Sequence, residues 1–259
     1  LAPDQITLHN SASSASQSRT LIDSATTLDQ SRTPLNGPTI VLRLGASDLN
    51  ELKRLRGLAN SQTDTFLSMT SSAITDTAFV ANSVVEVTPA AAMQVTTFTL
   101  DGTPPQLVSF SLNLNTERIT FVFDETVDVT TFDATQVTLL SASGGTGRHT
   151  FSASTVVETT DSTVVVAVIA ADDLNEITRQ RDLANDQGNT NVALTSGAIS
   201  DTTGNAVVPI TDANRLNGDL TVDITPPSLI NFTLSMDGAG LLTLTFDETV
   251  KVSTFDPTG

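Results

Sequence analysis

Side chains with hard oxygen ligands recur at matching places in the chain. Asp124 and Glu125 follow Phe123, and Asp247 and Glu248 follow Phe246, about 123 residues further on. Ca²⁺ takes several oxygen ligands from carboxylate and amide groups, so these positions predict a calcium site. The candidate ligands are Asp101, Asp124, Glu125, Asp201, Asn205, Asp223, Asp247 and Glu248. The alternative is that these Asp and Asn residues only begin turns and cap strands.

Catalysis is not expected from this composition. The chain has no cysteine and only two histidines, His9 and His149. It therefore has few of the residues that form the common pairs of a nucleophile and its general base. The glycine-rich stretch Ser143–Arg148 lacks the Lys-Ser/Thr ending of a phosphate-binding loop, and we interpret it as a hairpin turn.

Basic side chains are few, and five of the twelve lie on two predicted helices. They are Lys53, Arg54, Arg56, Arg179 and Arg181. One hypothesis is that each helix docks on an acidic face of a neighbouring module or chain. The other is a solvated helix face with local ion pairs.

The net charge of the chain limits the kinds of partner that it can bind. A formal charge of −17 disfavours nucleic acid and anionic membranes. The sequence contains no run of 18 apolar residues, so it predicts no membrane-spanning helix. Asn231-Phe232-Thr233 is an N-glycosylation sequon, which makes Asn231 a candidate glycosylation site.

Apolar residues alternate with polar ones over most of the chain, which predicts half-buried β-strands. The predicted strands are Gln106–Asn115, Arg118–Phe123, Gln136–Ser141, Thr150–Val157, Thr163–Ile169, Asn191–Thr195 and Ala206–Ile210. Two short helices interrupt them, from Asp48 and from Asp173. Asp173 and Glu176 have the spacing of a capping box. The predicted fold class is all-β, with one short helix inserted in each unit.

Internal repetition organises the chain. Phe-Asp-Glu-Thr-Val occurs at 123–127 and 246–250, and Asp-Leu-Asn-Glu at 48–51 and 173–176. We therefore expect a tandem array with a period of about 123 residues. Residues 1–100 form the later part of one module, 101–222 a complete module, and 223–259 the first strands of a third. Both ends then fall at the same phase, since residues 1–8 match 132–139 and the chain finishes after a second strand.

Two interpretations of this phase remain open. The chain is a window on a longer array, or successive chains complete one another by strand exchange and build a filament. In either case, the alternating strand directions bring Asp124, Glu125, Asp201 and Asn205 to the same pole as Asp101 in the linker. Calcium bound at that junction would stiffen it.

The motifs Asp-x-Thr-Pro-Pro at 101–105 and 223–227, Phe-Asp-Glu-Thr-Val, and Ser-Asp-Thr-Thr-Gly-Asn at 200–205 resemble the tandem bacterial-type Ig-like repeats of large surface adhesins and cell-wall proteins. Similar repeats occur in algal and protist surface proteins. The resemblance implies immunoglobulin-like β-sandwiches with calcium-rigidified junctions. After Asp76 the first module has a longer turn without glycine.

The expected function is structural: an extracellular stalk, fibre or filament whose partners are neighbouring modules or copies of itself. The alternative is a calcium-dependent adhesin module that binds a carbohydrate, ice or a host surface. Two features count against this alternative. No Trp or Tyr is present for sugar stacking, and the Thr spacing is too irregular for an ice-binding ladder.

Overall fold

The structure is a computed structural model that describes residues 2–33 and 36–256. The described chain is mostly β, which confirms the all-β class, and it contains two nine-residue α-helices. The expected matches at Leu1 and at Pro257–Gly259 lie outside the described residues. We describe the chain in three parts: an N-terminal segment (2–100), a central segment (101–222) and a C-terminal segment (223–256).

The N-terminal segment has one four-stranded sheet, in the order β2-β1-β5-β6, and a separate two-stranded ribbon, β3-β4. Its elements are β1 (Ile6–His9), β2 (Ser18–Thr20), β3 (Thr27–Leu28), β4 (Leu42–Arg43), α1 (Ala46–Arg54), β5 (Phe66–Met69) and β6 (Met93–Gln94).

The central segment has two sheets around a shared core. Its elements are β7 (Leu107–Asn113), β8 (Arg118–Asp128), β9 (Val137–Leu140), β10 (Arg148–Thr150), β11 (Ser154–Val156), β12 (Ser162–Ile169), α2 (Ala171–Arg179), β13 (Asn191–Leu194), β14 (Ser200–Asp201), β15 (Leu216–Asn217) and β16 (Asp219–Thr221). One sheet has the order β11-β12-β8-β7-β16, with β14 also on β8, and the other has the order β10-β9-β13-β15.

The core of the central segment takes side chains from both sheets. Phe110, Phe121 and Val165 from the first sheet and Leu139 and Val192 from the second are all buried in one apolar cluster. Alternation explains the pattern, because every second residue of β8 from Ile119 to Phe123 points inward. The core therefore depends on the β7–β8 hairpin as much as on the opposite sheet.

The C-terminal segment is a lone hairpin, β17 (Leu229–Ser235) with β18 (Leu241–Phe246). Its register places Phe232 opposite Leu244, as Phe110 stands opposite Phe121 in β7–β8. Both hairpins carry a register irregularity at the same place, between Leu107 and Ser109 and between Leu229 and Asn231.

Several sequence predictions differ from the structure. Residues 206–210 form only isolated bridges, and β15 and β16 were not predicted. β16 runs parallel to β7 rather than antiparallel. The capping box is wrong: α2 begins after Ala170 with no side-chain cap. Asp173 instead accepts hydrogen bonds from the backbone N–H groups of Ser152 and Ala153.

Over the described residues, neither helix is long and apolar enough to cross a membrane.

Candidate functional site at the two segment junctions

The first junction joins helix α1 of the N-terminal segment to strand β8 of the central segment. The backbone N–H of Thr126 donates to the side-chain oxygen of Asn50 at 3.2 Å, and the Thr126 hydroxyl donates to the Asn50 carbonyl at 2.9 Å. Thr126 is the fourth residue of the pentapeptide 123–127. The repeated pentapeptide is therefore a contact surface as well as part of a strand.

Lys53 lies at the centre of this junction. Its Nζ is 2.7 Å from Oδ2 of Asp101 and also bonds to Oε2 of Glu125. Burial alone lowers the pKa of Lys53, but hydrogen bonds and charge from Asp101 and Glu125 outweigh it, and the pKa is raised. The lysine is therefore held in its charged form, with its side chain largely buried.

The pKa values of the two carboxylates beside Lys53 shift in opposite directions. Burial raises the pKa of Glu125, and the negative charges of Asp101 and Asp201 add to it against the opposing effect of Lys53. Burial also acts to raise the pKa of Asp101, but the contact with Lys53 and the Thr103 N–H lowers it overall. Asp101 thus carries the stable negative charge of the pair, and Glu125 is the carboxylate closer to protonation.

Asp201 completes a cluster in which Asp101, Glu125 and Asp201 each place an oxygen within 4.8 Å of the others. The Asp201 carboxylate also accepts from the backbone N–H groups of Thr203 at 2.9 Å and Asn205 at 2.8 Å. Asn205 in turn donates its side-chain N–H to the Asp101 carbonyl at 3.2 Å. Three of the predicted ligands, Asp101, Glu125 and Asp201, do converge, and the Lys53 ammonium group lies against two of them, so a cation bound here would take the place of that group.

Arg56 forms the second ionic contact across this junction. Its guanidinium group lies 2.7 Å from Oδ1 of Asp128 and 2.5 Å from Oδ2 of Asp161. The hydrogen bonds that it donates to Asp161 and Asp128 raise its pKa. Arg56 follows α1, which ends at Arg54, so its placement on the helix was wrong.

The second junction joins α2 of the central segment to the C-terminal hairpin. The Thr249 hydroxyl donates to the side-chain oxygen of Asn175 at 2.9 Å, and these two residues hold the places of Thr126 and Asn50 in the repeated motifs. Thr178 occupies the position on α2 that Lys53 occupies on α1. A cleft of about 210 Å³ lies here, and its lining includes Thr178, Asp223 and Glu248.

Among the residues that the structure describes, no basic side chain forms an ion pair with the carboxylates of this second junction. Burial raises the pKa of Glu248, and Asp223 and Asp247 raise it further. Arg181 lines a small pocket that also contains Lys251, whereas the first junction pairs Arg56 with Asp128. Arg181 lies beyond the end of α2 at Arg179, so it too was wrongly placed on a helix.

The other predicted site residues have local roles. Asp124 and Asp247 each accept a backbone N–H at 2.7 Å, from Gln106 and Ser228 respectively, so they close the hairpins. Arg54 and Arg179 pair within their own helices, with Glu51 and Glu176. Asn231 is exposed on β17.

Sequence reasoning missed the Asn50–Thr126 contact and the role of Lys53 among the acidic residues. The sequence held no signal for the Asn50–Thr126 contact: Asp-Leu-Asn-Glu and Phe-Asp-Glu-Thr-Val recur at nearly the same interval, but all motifs of a tandem repeat do so. Comparison of the chain with protein-family models, with curated proteins and with solved structures found no match, so the geometry of the junctions carries the functional argument.

Proposed function

We propose that the chain is a tandem array of immunoglobulin-like modules that serves as a semi-rigid extracellular stalk or fibre. The first junction carries this proposal, because two ion-paired side chains and two hydrogen bonds tie consecutive modules together. A flexible string of modules would need none of these contacts. The acidic, lysine-poor composition is in keeping with an extracellular protein.

Strand order supports the immunoglobulin-like assignment. The immunoglobulin constant fold places strands A, B, E and D in one sheet and C, F and G in the other. With β7 as A and β8 as B, the first sheet of the central segment contains β7-β8-β12-β11, the order A-B-E-D. The second sheet, β10-β9-β13-β15, has the order C′-C-F-G.

Backbone geometry supports the repetition. The sheet β2-β1-β5-β6 has the same connectivity as β10-β9-β13-β15. Ala59 and Ala184 both adopt positive φ, at 58° and 50°, a conformation that non-glycine residues rarely take. Asp48 and Asp173 are both buried and both accept backbone N–H groups from the loop that follows β2 or β10.

Hydrogen bonds hold the linker at 101–105 against the central segment, which supports a rod-like arrangement of modules. Pro104 and Pro105 restrict the backbone at 103–105. The Pro105 carbonyl accepts the Val208 N–H at 2.9 Å, and the Asp101 carbonyl accepts from Thr203 and Asn205. Little rotational freedom remains between the N-terminal and central modules.

Small-angle X-ray scattering tests the proposal. We expect the wild-type chain to scatter as one extended body with a well-defined maximum dimension. Reversing both cross-junction charges, with Lys53→Glu and Arg56→Glu, should broaden the distance distribution because four carboxylates then face two more.

Arg54→Glu is the matched control, since the ion pair that the described residues give Arg54 is with Glu51 of its own helix. A wild-type profile as broad as that of the double variant would contradict the proposal.

A calcium-dependent adhesin module is the second candidate, and the uncompensated second junction favours it. Asp223 and Glu248 lack the lysine that neutralises their counterparts, so this is where a divalent cation has room. Isothermal titration with Ca²⁺ should give one binding event that Asp223→Asn with Glu248→Gln abolishes. If titration of the wild-type chain with Ca²⁺ gives no heat, the calcium-dependent adhesin module is excluded.

A further inference from the structure

The carboxylate of Asp173 ties a loop of the central segment to helix α2. Its side chain is 2 % exposed, and it accepts the backbone N–H groups of Ser152 at 3.0 Å and Ala153 at 3.4 Å. The imidazole of His149, on β10, places its Nε2 atom 2.9 Å from Oδ1 of the same carboxylate. A buried carboxylate is costly unless it is paired and hydrogen-bonded, so the arrangement depends on all of these contacts.

The N-terminal segment makes the same contact with a different side chain. Asp48 of α1 is fully buried and accepts the backbone N–H groups of Ile22 at 3.1 Å and Asp23 at 3.0 Å. Its partner on β2 is Arg19, which donates to Oδ1 from Nε at 3.0 Å and from Nη2 at 2.7 Å. A guanidinium group therefore stands here in the place of the imidazole.

The positions of Arg19 and His149 correspond in the two sheets. Arg19 lies opposite Leu8 in the β1–β2 ladder, and His149 lies opposite Leu139 in the β9–β10 ladder. An arginine stays protonated in proteins, whereas a histidine gains or loses its charge between about pH 5 and 8. The two contacts therefore differ in a property that pH controls.

Charged groups on α2 face His149. Burial acts to raise the pKa of Asp173, but hydrogen bonds from His149 and from the loop lower it overall. The hydrogen bond from Arg179 lowers the pKa of Glu176 to about 2, and the charge of His149 contributes to that shift. Both helix carboxylates thus remain ionised near neutral pH, where the imidazole changes its charge.

His149 has two further neighbours on its own side of the contact. Arg148, next to it on β10, is paired with Asp212 at 3.2 Å, so its charge is already matched. The ring of Phe151 meets the imidazole edge to face, with centroids 5.9 Å apart and planes at 84°. Phe151 is buried in the core, so the imidazole is held in place between this ring and the Asp173 carboxylate.

We propose that His149 and Asp173 form a pH-sensitive latch that ties the loop at 149–153 to α2, whereas Arg19 and Asp48 form a permanent one. An ionised carboxylate only accepts hydrogen bonds, so Nε2 carries a hydrogen in both charge states of the imidazole. Deprotonation releases the Nδ1 proton to water, and the charge-assisted Nε2–H bond becomes a weaker neutral one. The stability that the latch contributes is therefore full at acidic pH and is lost as pH rises through the range in which His149 is deprotonated.

The latch acts on the helix that makes the second junction. Asp173 lies two residues before Asn175, which accepts the Thr249 hydroxyl. At acidic pH the first turns of α2 are thus held by the loop as well as by the hairpin. The latch itself lies within one module, so it stands or falls independently of the proposed stalk.

Amide hydrogen exchange of the full chain, measured at pH 5 and pH 8 and corrected for the intrinsic exchange rate, tests the latch. We expect the protection factors of the Ser152 and Ala153 amides to fall about fivefold or more at the higher pH, as a charge-assisted bond gives way to a neutral one. The amides of Ile22 and Asp23, which the permanent latch holds, are the internal control and should not change. Wild-type loop amides at 152 and 153 with equal protection at both pH values would refute the latch.

Exchanging the two basic residues should exchange the behaviour of the two segments. His149→Arg should make the loop amides of the central segment insensitive to pH, and Arg19→His should make those of the N-terminal segment sensitive. Each substitution copies a pair that the other segment already uses. A full pH dependence that survives in His149→Arg would overturn the proposal.

His149→Gln separates the charge from the hydrogen bond, because it keeps an N–H donor without a charge. The loop amides of this variant should show the lower protection at both pH values. The variant also retains His9, whose ring bonds to the Ser68 hydroxyl and whose pKa burial lowers. A pH dependence as large as that of the wild-type chain would assign the effect to His9 or another group and contradict the latch.

Discussion

The two junctions share one hydrogen bond and differ in charge. At the first junction the Thr126 hydroxyl donates to the Asn50 carbonyl, and at the second the Thr249 hydroxyl donates to the Asn175 carbonyl. Lys53 then neutralises Asp101 and Glu125, whereas Thr178 leaves Asp223 and Glu248 facing one another. The geometry of the junction is thus set by the asparagine–threonine contact, and its strength is set separately by the residue at the eighth position of the helix.

The largest expected effect comes from removing the lysine. Lys53→Ala leaves Asp101 and Glu125 unpaired, and it should lower the free energy of unfolding by about 1–3 kcal/mol, less than for a fully buried pair because solvent screens part of the charge. Urea unfolding measures the change. Arg54→Ala should cost about 0.2–0.5 kcal/mol, and an equal loss in both variants would contradict the role of Lys53.

Alkaline pH should distinguish the two junctions in the wild-type chain, because only the first depends on a lysine. Because the folded pKa of Lys53 is raised above its ordinary 10.5, the stability it contributes is fully present below 10.5 and is lost as pH rises through the raised value. Amide NMR signals of Asn50 and Thr126 should therefore shift at the most alkaline pH values that the fold survives.

Signals of Asn175 and Thr249 are the internal control and should stay unchanged over that range. Simultaneous movement of both sets would mean that the fold as a whole responds rather than one lysine.

A lysine transferred to the second junction should reproduce the first. Thr178→Lys places an ammonium group beside Asp223 and Glu248, and a nearby positive charge favours the ionised carboxylate. The pKa of Glu248, now raised, should fall, as a carboxyl-detected NMR titration would show. Thr178→Met, which adds length without charge, is the control, and a similar fall in that variant would exclude a charge effect.

The smallest expected effect concerns Lys251, which stands where the first junction has Asp128. Lys251→Asp gives Arg181 the partner that Arg56 already has, and it should narrow the scattering distance distribution slightly. Lys251→Ala should have a weaker effect, because it removes a like charge without adding an opposite one. No difference between the two would argue against pairing with Arg181.

Local sequence patterns predicted much of the fold. Period-two alternation marks β7, β8, β9 and β12, whereas β13 is buried at all four positions and shows no alternation. β15 and β16 have two and three residues, too few for alternation, and they exist because Leu216 and Leu220 meet strands distant in sequence. The capping box failed for the same reason, because a distant loop takes the Asp173 carboxylate.

The candidate site was predictable only in part. Strand direction alone brings Asp101, Glu125 and Asp201 to one pole, which the sequence indicated. The position of Lys53 depends on the angle at which α1 meets β8, and that angle arises from packing between segments. Charge counting along the chain does not contain this information.

The parallel pairing of β16 with β7 has a mechanical consequence. Asp219, Leu220 and Thr221 lie beside Ser111, Leu112 and Asn113, so the first and last strands of the central segment are bonded side by side and point the same way. In the stalk that we propose, tension pulls the start of β7 and the end of β16 in opposite directions along the strands. The hydrogen bonds between them are then loaded together in shear rather than opened one at a time, so a pull along the axis meets its greatest resistance at the seam where the module closes.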